Sequence, residues 1–90
     1  MRLLRVFSLR IFSDPQTISM PRRARIVHVY VSRVDVQLFA EVEEDADTKA
    51  FDTGKHLRTF IVLNGGAPVP EGAGFIGADG RCLVYETKAG

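Results

Sequence analysis

The chain has no tryptophan, a single cysteine and two histidines in 90 residues, and each shortage removes a class of chemistry. Cys82 alone cannot close an intrachain disulfide, and with only His28 and His56 beside it no cysteine and histidine cluster stands at zinc-binding spacing. A reducing cytoplasm suits such a composition. No apolar run reaches the roughly 18 residues of a membrane span, because Arg, Asp or Glu interrupts every candidate. The opening MRLLRVFSLRIF has the charge and apolarity of a leader, but Arg5 and Arg10 break the run and no small-residue cleavage site follows, so it reads as a strand. No P-loop pattern occurs. The acids between Glu43 and Asp47 lack the glycine and terminal glutamate of a calcium loop, so no metal or cofactor is expected.

What the chain does have is enough apolar material for one core. With 46% hydrophobic and 26% charged residues, residues 1–90 are expected to fold as a single soluble domain. A domain so small, without disulfide or metal, is marginal alone, and self-association is the ordinary remedy; a homo-oligomer is therefore expected. The formal net charge of +1 hides a strong polarity. Residues 1–33 hold seven Arg and one Asp, a balance of +6, while residues 34–52 hold seven acids and one Lys, a balance of −6. These halves could steer an anion or let one subunit meet another. Without net basicity, nucleic acid is not an expected partner, even with Arg22, Arg23 and Arg25 clustered.

The hydrophobic pattern has the period of strands. VDVQLFAEVE places Val34, Val36, Leu38, Ala40 and Val42 on one side and polar residues with Phe39 on the other. ARIVHVYV before it is β-branched and aromatic, which predicts a hairpin through Ser32 and Arg33, with His28 sharing a face with Ile26 and Tyr30. LRTFIVL is a third strand. Asp79-Gly80 between FIGA and RCLVYE is the strongest hairpin signal, since both residues accept positive φ. Leu3 to Ile11 and Gln16 to Met20 make weaker strands, separated at Ser13-Asp14-Pro15. Residues 43–56 read as a polar, mobile loop with room for one helical turn. The fold class expected is all-β: one small antiparallel sandwich or barrel of six to seven short strands.

GAGFIG, residues 72–77, fits the dinucleotide fingerprint G-x-G-x-x-G, which needs a strand turning into a helix whose N-terminal amides face pyrophosphate. Thirteen residues remain after Gly77, and a turn and a strand occupy most of them, so no βαβ unit fits and the match is accidental. Gly72 and Gly74 are expected instead to take unusual φ where the chain enters a strand. A better anion candidate is NGGAPVP. There Gly65-Gly66, directly after a strand, could present backbone N–H groups with Asn64, the bland alternative being a connecting loop. Arg58 precedes Asn64 on the same strand face by about 20 Å, so the two could serve opposite ends of an extended ligand, or two sites across a subunit interface. Arg22 and Arg23 are further candidates for anion contact, or form a solvated or intersubunit basic patch. His28 and His56 have no readable catalytic partner, and Cys82, alternating with Leu83 and Tyr85, reads as a small buried hydrophobe. No enzyme is expected.

Taken in order, QTISMP, ARIVHV, LFAEVE, RTFIVLNGGAPVP, FIG and LVYE resemble a family of small, uncharacterised phage and prophage proteins over residues 4–86. The chain departs from that pattern at Asn64-Gly65-Gly66, where a Gly-Thr-Gly type loop is expected, at Phe39 in place of Trp, and at Tyr85 in place of His. The resemblance implies a viral accessory protein of the host bacterial cytoplasm. The expectation it supports is a non-enzymatic binding protein that sequesters a nucleotide signal of host defence. The alternatives are a virion or assembly component and a protein inhibitor of a host factor.

Overall fold

Val36, Leu38, Ala40 and Val42 bury one face of β4 (Asp35–Glu43), none of them more than 3% exposed, as the alternation of the sequence requires. Val34 is a correction: it is 82% exposed and lies outside the strand. The reason is the Ser32 hydroxyl, which accepts hydrogen bonds from the N–H groups of Val34 and Asp35 and fixes these residues in the turn. The computed structural model describes residues 2–11, 14–21, 23–43 and 55–87, and the expected loop at 43–56 lies mostly outside them.

Six further strands accompany β4: β1 (Arg2–Arg10), β2 (Gln16–Pro21), β3 (Arg25–Val31), β5 (Lys55–Asn64), β6 (Gly74–Asp79) and β7 (Cys82–Thr87). They form two antiparallel sheets, one of order β1-β4-β3 and one of order β2-β5-β7-β6. No helix occurs among the described residues, and none there is long and apolar enough to cross a membrane. The two inner faces meet as a sandwich. Leu9, Val29, Val36 and Leu38 come from the first sheet, and Met20, Phe60, Val62 and Val84 from the second. Burying each such Leu, Met, Val or Phe contributes about 1.5–3 kcal/mol, the main drive for closing the layers.

The basic and acidic segments are neighbours in the first sheet, where acidic β4 runs between arginine-bearing β1 and β3. Part of the charge polarity of the sequence is thus answered inside one chain, as Arg2 Nη1 at 3.9 Å from Glu41 Oε2 illustrates.

Two irregularities shape the sandwich. The β3/β4 register shifts between Ile26 and His28, which sends Ile26 onto the core while His28 and Tyr30 face outward; the expected sharing of one face fails because a bulge at Val27 resets the alternation. The β6/β7 hairpin is likewise offset by one residue from its sequence signal. Asp79 pairs with Cys82, so Gly80 and Arg81 form the two-residue turn, with positive φ at Gly80 alone, as a type II′ turn requires. Asp79 is left as a strand residue, its carboxylate outside the turn.

That carboxylate helps close one side of the sandwich. Val31 pairs with Val36, yet its N–H points away from β4 and donates to Asp79 Oδ2 at 2.7 Å. Two residues back on each strand, a Cβ built on Gly77 would lie 2.6 Å from Val29 Cγ2. The absence of a side chain at Gly77 lets β6 approach β3 this closely. Edge strands of different sheets are thereby joined along β3 and β6.

The opposite side has no such seam among the described residues. There, the Gln16 side chain accepts from Arg10 N–H and donates to Arg10 C=O, both at 2.7 Å, imitating one rung of a ladder at the end of β1.

Candidate functional site

Arg58, Phe60 and Glu86 share the core-facing side of the second sheet, because Phe60 stands directly opposite Glu86 and Arg58 two residues away on the same strand. Their chemistry closes the end of the core. Arg58 Nε donates to Glu86 Oε2 and Nη2 to Glu86 Oε1, each at 2.7 Å, a bidentate fork, while Nη1 donates to the carbonyl of Ala24 at 2.8 Å. The guanidinium carbon also lies 5.5 Å from the Phe60 ring centroid. With side chains only 17% and 28% exposed, the pair is partly withdrawn from water. The hydrogen bonds to Glu86 raise the Arg58 pKa above its already high ordinary value, against the opposing effect of burial.

The bond to Ala24 gives Arg58 a second task. Pro21 to Ala24 is a tight turn closed by Ala24 N–H to Pro21 C=O at 3.1 Å, with Arg23 at φ 71°. This turn carries the chain from the second sheet to the first, and Arg58 anchors it. Of the two arginines expected there to meet an anion, Arg23 lines an open cleft with Arg2, Arg25, Glu41 and Glu43. Arg22 lies outside the described residues. Two glutamates among three arginines make that cleft a mixed-charge surface rather than a dedicated anion site.

Asn64, Gly65 and Gly66 stand at the far end of β5 from Arg58, as the spacing requires. They form a turn closed by Ala67 N–H to Asn64 C=O at 3.0 Å, with Gly66 at φ 90°. All three are exposed, and nothing lies within 4 Å of a Cβ built on either glycine. Asn64 pairs with Cys82 across the ladder, and the Cys82 Sγ lies 3.9 Å from Asn64 Oδ1, a weak thiol donor that steadies the side chain. Beside this turn stands the Gly80-Arg81 turn. Asn64, Gly65, Gly80, Arg81 and Leu83 line one open groove of about 500 Å³. Arg81 is exposed there.

Sequence reasoning missed Arg81, Glu86 and Asp79. Arg81 was legible as the residue after an Asp-Gly turn signal; Glu86 and Asp79 act across registers that no local pattern encodes. Gly72 has φ 79° in a turn closed by Ala73 N–H to Pro70 C=O at 3.2 Å, so GAGFIG does bend the chain into a strand. Gly74 has no positive φ, because it already belongs to the ladder opposite Glu86.

The remaining candidates are kept apart. His28 lies on the outer face of the first sheet, edge-on to Phe39 with ring centroids 5.6 Å apart. Cys82 is buried in the second sheet, and His56 is exposed at the start of β5. Among the described residues no three His, Cys, Asp or Glu side chains gather to hold a metal.

The chain belongs to the family described as Domain of unknown function (DUF7352), which matches residues 3–79, from β1 to the end of β6. No curated protein and no solved structure matches the chain.

Proposed function

We propose that the protein is a non-enzymatic binding module that takes a small phosphate-bearing anion where the Asn64-Gly65-Gly66 turn meets the Gly80-Arg81 turn. The supporting observation is that groove: two glycine turns with open space above them and an exposed arginine alongside. Backbone N–H groups in such turns and a guanidinium are the usual pair for phosphate oxygens. Arg58 is less suited to the task than its sequence position suggests, because Glu86 and Ala24 engage its three donor nitrogens. The phage setting implied by the sequence resemblance directs the choice of anion to a nucleotide signal of host defence, held rather than turned over. Calorimetry with cyclic di- and trinucleotides tests the reading. Heat that disappears in Arg81→Ala supports it, and no heat from the unaltered protein at high ligand concentration rejects it.

A second reading, a component of an assembly, draws on the edge of β1, which no described strand pairs. Detection of the protein in purified phage particles would decide for it.

A further inference from the structure

The edge of β1 that no described strand covers has a length and a register. In an antiparallel ladder, the main-chain groups of alternate residues point to opposite sides of the strand. Arg10 gives both its N–H and C=O to Gln16, away from β4, and the β1/β4 register runs unbroken from Arg2 to Arg10. The same parity therefore turns the N–H and C=O of Arg2, Leu4, Val6 and Ser8 away from β4. β1 is an edge strand, and no described strand receives those groups. The corresponding groups of β3 are treated differently, since Val31 N–H meets Asp79 and β6 lies close against Val29.

The four outward residues are symmetric about Arg5. We infer that β1 pairs antiparallel with β1 of a second copy of this chain, about a twofold axis at Arg5, joining two three-stranded sheets into one of six strands. In this register Arg2 faces Ser8 of the second copy and Leu4 faces Val6, with the same rungs repeated in reverse. All four outward residues on each chain then exchange both main-chain hydrogen bonds.

Three features select a second copy in this register. Leu4 and Val6 are 60% and 50% exposed, and the pairing sets each beside the other's equivalent. On the opposite face Leu3 meets Phe7, both only partly buried against the core of one chain. A shift of the axis to Val6 would require outward groups from Arg10, which Gln16 already holds, so the Gln16 rung acts as a register stop. One rung opposes the pairing: Arg5 faces itself. Like charges directly opposite weaken a sheet pair, and this single defect makes the geometry identifiable.

The inference is independent of the anion groove, none of whose lining residues belongs to β1. Sedimentation of the full chain is expected to show a concentration-dependent dimer of twice the 10.0 kDa chain mass. Arg5→Gln should tighten that dimer by about fivefold by removing the like-charge rung, and added salt should tighten the unaltered dimer and leave Arg5→Gln nearly unchanged. Val6→Pro removes a donor that no described strand uses, and should give a folded monomer. Should Val6→Pro fail to fold, concentration-dependent hydrogen exchange in the unaltered protein reads the same bonds, with slowing expected at Leu4, Val6 and Ser8. A monomer at all concentrations overturns the inference, as does a dimer indifferent to both Arg5→Gln and salt, or one lacking that protection.

Discussion

Asp79 Oδ2 accepts a 2.7 Å hydrogen bond from the N–H of Val31, and the two residues lie on edge strands of different sheets. A side chain here takes the place of a ladder bond, so a sandwich that could remain two separate layers is fastened along one side. Asp79→Ala leaves the Val31 N–H without its acceptor. The expected loss is about 1–3 kcal/mol, measured by urea unfolding. Hydrogen exchange should speed selectively at Val31; unchanged exchange there would mean that the bond does not form in solution.

Gly77 permits the same approach sterically. Val29 is 2% exposed, and its Cγ2 lies 2.6 Å from the Cβ that any other residue would add. Being β-branched, Val29 has little rotamer freedom with which to retreat. Gly77→Ala should destabilise by about 1–3 kcal/mol, and combining it with Val29→Ala should restore part of that loss. A Gly77→Ala protein as stable as its parent would refute the close contact.

The Arg58 fork is expected to resist conservative replacement. Lys carries the charge but cannot span both Glu86 oxygens and the Ala24 carbonyl. Arg58→Lys should therefore cost nearly as much as Arg58→Ala, about 2 kcal/mol for a pair that water still partly reaches. The sign of the pH dependence follows from the raised Arg58 pKa. Stability gained from a raised basic group is fully present below its unfolded pKa and is lost only as pH rises through the folded one. Arg58 itself should thus give no loss of stability on the alkaline side until beyond the ordinary arginine range. A thermal unfolding series comparing the parent with both variants at rising pH checks both points.

Arg23 occupies left-handed backbone at φ 71°, which a side chain disfavours. Arg23→Gly should stabilise by about 0.5–1 kcal/mol, the greater entropy of unfolded glycine offsetting part of the relief. A lower thermal midpoint would show that the Arg23 side chain contributes more to the neighbouring cleft than its backbone strain costs.

The strands were legible where one face is buried and the other wet, as in β4, since burial itself imposes the period of two. Glycine behaviour near Gly72 was legible because a hairpin signal and the strand-like RCLVYE follow directly, where the fingerprint would need a helix. The sequence was misleading wherever one residue shifts parity. The Val27 bulge moved His28 off the face of Ile26, and the hairpin at Gly80-Arg81 moved Asp79 into a strand. Arg58 was readable as a conspicuous cation, but its partner was not. Glu86 reaches it only through the β5/β7 register, set by packing between residues 28 positions apart. The separation of Arg58 from the Asn64 turn was readable from strand rise, whereas the approach of Arg81 to that turn depended on the same long-range register.

The order of strands also has a consequence for synthesis. The first sheet is complete once residue 43 has emerged, because β1, β3 and β4 all precede that point. The second must wait, since β7 follows β6 in the chain yet lies between it and β5. On a ribosome, the early layer would therefore stand with its apolar side uncovered until the late strand slots into the middle of its partner layer, and chaperone contact should be greatest in that interval.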